Sequence, residues 1–302
     1  MRIVKGSASF KGSSKPVCLT IGNFDGVHLG HQKIFRLLSK KAKRLNGTAV
    51  VYTFDPHPVK RVAPSSSPKL IQTFDQKMRS LKDNCIDITV VEPFTSSFSC
   101  LNARDFFKRV IIERIDPSYM IVGHDLTFGR HRMGTIDLLH KLCLENGIGF
   151  EVVDAVLLKE ILISSTKIRA LVKAGDVEKA CSLLGRPYAL TGKVVKGRGI
   201  GGEIGFHTAN IIPQNELTPP EGVYITKTLG HISVTNIGFN PTFGGKKIVI
   251  ETHILNFSKK LYGKNIEVVF YKRIRDEMVF ENPAALKKQI GKDIEKAKGY
   301  FK

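Results

Sequence analysis

The chain of 302 residues is 42% apolar and 25% charged, the balance of a soluble globular protein with room for two separate cores. Its net charge of +20 suits nucleic acid, an anionic membrane or small polyphosphates; spread along the chain without an aromatic RNA-binding motif, it predicts only a basic surface with no dedicated nucleic-acid partner. The opening residues carry no signal-peptide core, no apolar run reaches membrane-span length, and five scattered cysteines fit free thiols in the cytoplasm rather than disulfides or a zinc ribbon.

In the first half, strand-like runs alternate with amphipathic helical patterns. VCLTI, TAVVYTF, IDITVVEPF, SYMIVG and GFEVVDAVLL read as strands. Between them, LGHQKIFRLLSKKAKRLN, FDQKMRSLKDN, NARDFFKRVIIERI and TIDLLHKLCLEN read as helices. Such alternation predicts a Rossmann-like α/β domain, a parallel sheet with helices on both faces. Its ligands bind beyond the carboxyl ends of the strands, where GNFDG, TFDPHP and GHDLTFG meet.

The stretch GNFDGVHLGH, residues 22–31, turns the first of those strands into a helix. Free backbone N–H groups and the positive end of a helix dipole make such a turn an anion site before any side chain is considered. Gly22, Gly26 and Gly30 allow phosphate oxygens close to the backbone, and His28 and His31 fall on one helical face. Neither HExxH spacing nor a Walker lysine is present, so a zinc-protease site and a P-loop are excluded. A nucleotide-phosphate site and an ordinary turn with two surface histidines both fit this stretch alone.

TFDPHP, residues 53–58, is stiffened by two prolines and reads equally as a pocket wall or a connector that cannot continue as a helix. GHDLTFGRHRMG, residues 123–134, mixes aromatic, charged and glycine residues after a strand, the texture of a ligand loop. In ISSTKIRALVKAGD, one hydroxyl suffices to cap the helix. Three in a row with Lys167 and Arg169 in the first turn predict a second phosphate-binding helix start.

The texture changes after Gly185-Arg186-Pro187, so domains are expected over 1–186 and 187–302. YALTGKVV, GVYITKTL, HISVTNIG, KIVIETHIL and IEVVFYKRI alternate at period two, and a helix ends the chain. This predicts a small antiparallel β-barrel or sandwich. Alternation in KIVIETHIL puts Val249, Glu251, His253 and Leu255 on one face, leaving a carboxylate among apolar neighbours at a rim or in a catalytic role. The loop GRGIGGEIGFHTAN, residues 197–210, ends in Thr208 and Asn210, oxygen donors of the kind Mg²⁺ accepts.

With these motifs in register, the whole chain resembles the prokaryotic bifunctional riboflavin kinase/FAD synthetase (FMN adenylyltransferase) family. IGNFDGVHLGHQ, TFDPHP, GHDLTFGRHRMG, ISSTKIRALVKAGDVEKACSLLGRPY, GFHTAN, NIGFNPTF, ETHILNF and QIGKDIEKAK follow the family's order. The resemblance implies an N-terminal adenylyltransferase that joins AMP from ATP to FMN, giving FAD and pyrophosphate. It also implies a C-terminal riboflavin kinase barrel that makes FMN. Gly22, Asn23, Phe24, Gly26, His28, His31, Ser164, Ser165, Thr166 and Arg169 would then bind ATP, with His28 and His31 catalytic. Asp55, His57, Asp125, Phe128 and Arg132 would border the flavin. In the kinase, Glu251 would be the base, Gly197, Gly205, Thr208 and Asn210 would hold ATP, and Thr208 and Asn210 would ligate Mg²⁺.

Leu126 stands where family members usually have Phe. His207 stands where the family motif PTAN has Pro, which implies a kinase that binds MgATP less tightly. The expected partners are riboflavin, FMN and ATP, with no membrane and at most a weak homo-oligomer.

Overall fold

The structure, a computed structural model, describes residues 1–196, 206–242 and 245–302. The chain forms two compact units, one of residues 1–68 and 74–163, the other of residues 69–73 and 164–302.

The first unit is built on a six-stranded, wholly parallel sheet in the order β1-β4-β3-β2-β5-β6. Its strands are β1 (Arg2–Lys5), β2 (Val17–Ile21), β3 (Thr48–Asp55), β4 (Ile88–Pro93), β5 (Tyr119–Gly123) and β6 (Gly149–Val153). Alternate residues feed two cores. Leu19, Ile21, Val50, Tyr52, Met120 and Val122 face one; Cys18, Ala49, Val51 and Ile121 face the other. Burial on both faces explains why VCLTI is apolar at four of its five positions, with only Thr20 polar.

Helices α1 (Leu29–Arg44) and α3 (Phe74–Asp83) cover the second face through Ile34, Phe35, Leu38, Met78 and Leu81. On the other face lie α5 (Ala103–Phe106), which runs on as a π-helical segment (Phe107–Ile115), and α6 (Ile136–Glu145). Short helices α2 (Pro58–Val62) and α4 (Ser96–Ser99) lie in the connections. Full burial of Phe35 alone contributes about 2–3 kcal/mol.

Three local details depart from the sequence reading. β1 is a sixth strand, four residues paired along β4, too short to show a period. The run GFEVVDAVLL splits into β6 and β7 (Leu157–Leu158), which pairs with β8 (Ile161–Leu162). After TFDPHP a helix does follow: Pro58 opens α2, because a missing N–H costs nothing in the first turn.

The second unit is a closed antiparallel barrel in the order β10-β13-β12-β11-β14-β9, with a C-terminal helix. The strands are β9 (Tyr188–Val195), β10 (Thr208–Pro213), β11 (Gly222–Thr228), β12 (His231–Thr242), β13 (Gly245–Ile254) and β14 (Asn265–Arg275). Its interior combines Ile250, Val268 and Phe270 with a ladder of buried hydroxyls. Thr226 Oγ1 meets Ser233 at 2.7 Å and Thr235 at 2.8 Å, and Thr235 meets Thr252 at 2.8 Å. Helix α9 (Pro283–Tyr300) lays Ile294 and Ala297 against Val223, Ile225 and Val234 on the outer face.

Helices α7 (Ser165–Lys173) and α8 (Val177–Leu184) pack with this second compact unit, which takes in the chain from Ser164 onward. The physical reason is the apolar stripe of α8: Ala180, Leu183 and Leu184 are buried, and the helix packs on β9 and β14. Residues 69–73 dock here too. Glu216 Oε2 accepts from Leu70 N at 3.0 Å, and Lys69 O accepts from Arg169 Nε at 3.0 Å. Thr208 and Asn210, expected at the end of a loop, instead stand on β10.

Candidate functional site

At the carboxyl end of β2 the chain reverses through residues 22–28 before α1 begins. Gly26 (φ 85°), Phe24 (φ 48°) and Val27 (φ 40°) take left-handed conformations that make the turn tight. A Cβ at Gly22 would stand 2.8 Å from the Phe24 ring, so this position must be glycine for Phe24 to fold beneath the turn. Phe24 is buried, its ring 4.9 Å from that of Phe35 and 5.2 Å from that of His31, centre to centre. Expected on ATP, it packs its ring edge-on against His31 beneath the turn.

His28 and His31 stack with ring centres 3.6 Å apart and planes 19° from parallel. His28 is the N-cap of α1, its Nδ1 accepting from His31 N at 3.4 Å, which puts the ring proton of the neutral imidazole on Nε2. Gln32 Nε2 donates to Val27 O at 2.9 Å and ties the turn to the first helical turn. No acidic residue stands in that first turn, whereas Lys41, Lys43 and Arg44 answer the dipole at the other end. The positive end of α1 therefore has no carboxylate of its own helix to offset it.

β2 lies between β3 and β5 in a parallel sheet, so the loops leaving all three emerge along one edge. From β3 come Asp55 and His57; the His57 ring caps α2 by accepting from Val59 N at 3.3 Å. From β5 come Asp125, Phe128 and Arg132. Phe128 is buried and pairs its backbone with Gly134, while Arg132 Nε donates to Thr127 Oγ1 at 2.9 Å. A chain of ring contacts, Phe94–Phe54–Phe98–Phe106–Phe128, forms an aromatic wall linking the two loops.

Sequence reasoning missed Lys77. It lies on α3 and reaches the same edge, with Nζ 3.2 Å from Thr53 Oγ1 and 3.4 Å from Asn23 O. Burial pushes its pKa below the ordinary lysine value, and the charges of Asp25 and Asp55 pull it partly back. The signal was available: Lys77 is four residues before buried Leu81, so a cation interrupts the apolar stripe of the helix.

On the barrel, strand register gathers the polar residues. Thr208 pairs with His253, and Asn210 with Glu251, on adjacent strands β10 and β13. Glu251 pairs in turn with Asn236 on β12, so Asn210, Glu251 and Asn236 form a row on the outer face. Thr252 and Thr235, one residue along, point into the barrel. His253 Nδ1 donates to His207 O at 2.9 Å, and its ring meets that of Phe206 edge-on. Asn236 Oδ1 is buried with no hydrogen-bond donor among the described residues, another signal that sequence reading missed. Gly197 and Gly205 lie outside the described residues.

Family models fall on these two units in order. One described as FAD synthetase matches residues 11–167, and one described as riboflavin kinase matches residues 184–301. Curated relatives extend over the whole chain. The bifunctional riboflavin kinase/FMN adenylyltransferase of Buchnera aphidicola subsp. Schizaphis graminum is 37% identical, over 100% of this chain and 99% of the relative.

The chain belongs to the bifunctional riboflavin kinase/FMN adenylyltransferase family.

The similarly named proteins of Haemophilus influenzae and Escherichia coli are 34% and 33% identical, each over 100% of this chain and over 99% and 98% of the relative. A solved structure from Streptococcus pneumoniae, described as a macrolide-efflux protein, matches with TM-score 0.88 and 28% identity over 99% of each chain. Among the described residues no helix is long and apolar enough to cross a membrane.

Gly22, Asn23, Phe24, Gly26, His28, His31, Asp55, His57, Asp125, Phe128 and Arg132 all lie in the first unit. Ser164, Ser165, Thr166 and Arg169 belong to the second. There Ser164 caps α7 by accepting from Lys167 N at 3.2 Å.

Proposed function

We propose that each half of this flavin-cofactor enzyme uses the residue set described above: riboflavin becomes FMN at the barrel row, and FMN becomes FAD at the β2–α1 turn. Two observations carry the reading, one per activity: the stacked His28–His31 pair at a helix start and the Asn210–Glu251 pair across β10 and β13.

In adenylyl transfer an oxygen of the FMN phosphate attacks the α-phosphorus of ATP, and pyrophosphate leaves with the electrons of the broken P–O bond. No protein nucleophile is needed, so the work is alignment and stabilisation of charge. The N-terminal amides of α1 and the N–H groups of His28 and His31 serve the ATP phosphates, while Gly22 and Gly26 let them approach. Asp55, His57, Asp125, Phe128 and Arg132 border the flavin along the aromatic wall. The ATP role of Ser164, Ser165, Thr166 and Arg169 rests on the resemblance of ISSTKIR alone.

In the kinase, Glu251 takes the proton of the riboflavin 5′-hydroxyl as its oxygen attacks the γ-phosphorus of ATP. The row offers oxygen donors, the Thr208 hydroxyl and the Asn210 amide, beside the donor-less Asn236 Oδ1. This is the donor chemistry of a hard cation that keeps waters and substrate phosphates as its other ligands, and it fits Mg²⁺ held by Thr208 and Asn210. When bound, Mg²⁺ supplies charge neutralisation of the transferring phosphoryl group. The functional division at 186/187, a cytoplasmic location and a monomer or weak homo-oligomer complete the reading.

The test is direct. Purified protein incubated with riboflavin, ATP and Mg²⁺ accumulates FMN and then FAD on flavin chromatography. FAD from added FMN, with none from riboflavin, favours the second reading, in which only the adenylyltransferase is fully active. That reading is motivated by His207, whose exposed side chain replaces a φ-fixing proline next to Thr208. On it, His207→Pro lowers the KM for MgATP in the kinase assay. Unchanged kinetics would remove His207 as the cause.

A further inference from the structure

The carboxyl edge of the parallel sheet carries negative charge of its own. Asp25 and Asp55 both act electrostatically on this edge, where two phosphate-bearing substrates must meet. Two carboxylates beside FMN and ATP oppose the approach of one anion to another. Lys77 is the ammonium on which both charges act.

Its environment is unusual for a lysine held only for stability. The side chain is half-buried, and its Nζ reaches two neutral acceptors, Thr53 Oγ1 at 3.2 Å and Asn23 O at 3.4 Å. Both distances are long for a charged donor. Thr53 Oγ1 already donates to Asn23 O at 3.3 Å, so that carbonyl has a partner without the lysine. A methionine would fill the same space on the apolar stripe of α3 without desolvating a charge. An ammonium carries three donors, and two are accounted for among the described residues. Position matters as much as charge. Asn23 lies in the turn after β2 and Thr53 stands two residues before the end of β3, so Nζ bridges the turn after β2 and the last residues of β3.

We propose that Lys77 is a further catalytic group of the adenylyltransferase, its ammonium donating to a phosphate oxygen of the bound substrates while Asn23 O and Thr53 Oγ1 hold it in place. The transfer remains balanced without it: the FMN oxygen bonds to the α-phosphorus, the bond to the β-phosphate bridging oxygen breaks, and pyrophosphate takes the electron pair. Lys77 neither gains nor loses a proton. It lowers the repulsion between the two anions and stabilises charge on the transferring group. The proposal rests on the adenylyltransferase site lying at the 22–31 turn.

Lys77→Met and Lys77→Arg test it in the full-length chain, with riboflavin kinase activity of the same preparation reporting folding. Lys77→Met is expected to lower kcat/KM for FAD synthesis about 100-fold with kinase activity unchanged, and Lys77→Arg to recover a substantial part. A rise confined to the KM for FMN identifies the FMN phosphate as the oxygen contacted, and one confined to ATP identifies the triphosphate. Lys77→Met within two-fold of wild type overturns the proposal, as does equal loss in both variants, the mark of a pin and not a charge. A fold-independent arm uses the wild-type protein: acylation of Lys77 by an amine-selective reagent, mapped by mass spectrometry, is expected to be slowed by FMN or ATP. No protection by either overturns the proposal. His31→Ala is the control for the site itself. If it leaves FAD synthesis intact, the site reading fails and the proposal falls with it, whereas loss in His31→Ala beside an unaffected Lys77→Met overturns the Lys77 role alone.

Discussion

On the proposed reading, the two halves hold phosphates by opposite constructions. In the parallel sheet the backbone builds the site. Strands β3, β2 and β5 end along one edge, and the turn before α1 presents amides, a dipole and two stacked imidazoles within ten residues of chain. In the barrel the backbone N–H groups are spent on the ladder, so the proposed site is a row of side chains on adjacent strands, Asn210, Glu251 and Asn236. The interiors differ as well. The sheet is sealed by apolar cores on both faces, while the barrel encloses a ladder of threonine and serine hydroxyls. A site of the first kind depends on one turn. One of the second kind depends on the register of a whole sheet.

Glu251→Gln should separate the halves most sharply. It removes the only carboxylate in the described Asn210–Glu251–Asn236 row, so FMN formation from riboflavin is expected to fall about 10²–10⁴-fold while FAD formation from FMN is kept. Parallel losses in both assays would show that the sites are not independent.

The next largest effect is on the stability of the barrel unit. Asp293 on α9 is almost fully buried, with Oδ2 accepting from Arg275 Nε at 3.0 Å and Nη2 at 2.8 Å and Oδ1 accepting from Gln289 at 2.9 Å. Asp293→Ala leaves that guanidinium without its partner and is expected to cost about 3 kcal/mol in denaturant unfolding. Kinase activity is expected to be lost over the temperature range in which the barrel unit unfolds.

Thr235→Val probes the hydroxyl ladder with nearly the same shape. It removes a group bonded to both Thr226 and Thr252 and is expected to destabilise by about 2 kcal/mol. An unchanged midpoint would mean the ladder is interchangeable with an apolar core.

Asp176→Ala gives the smallest effect. Burial works to raise the Asp176 carboxyl, but hydrogen bonds from Lys179, and its charge, outweigh it and hold the pKa below the ordinary 3.8. As the cap of α8 it contributes about 1 kcal/mol. A depressed carboxyl stabilises the fold above its unfolded pKa, so the difference between variant and wild type should be full at pH 7 and shrink as pH falls below about 4. A difference that persists at pH 2 would assign it to packing.

The sequence by itself determined the α/β half, the antiparallel strands of the second half and the strand-to-helix turn after β2. Each is written locally: period two or 3.6 in short runs, and GNFDGVHLGH as ten contiguous residues. It also placed Glu251 and His253 on one face, because strand alternation needs no knowledge of the partner strand. Three things were decided only by the tertiary structure. Pairing of β10 with β13 and β13 with β12 set Asn210, Glu251 and Asn236 in one row, since register across distant strands is set by burial of their opposite faces. The apolar stripe of α8 drew residues 164–184 into the barrel unit, across the boundary that composition suggested. And the docking of α3 on the sheet turned Lys77 to the carboxyl edge. A helix pattern says which face a residue lies on, but only packing says what that face meets.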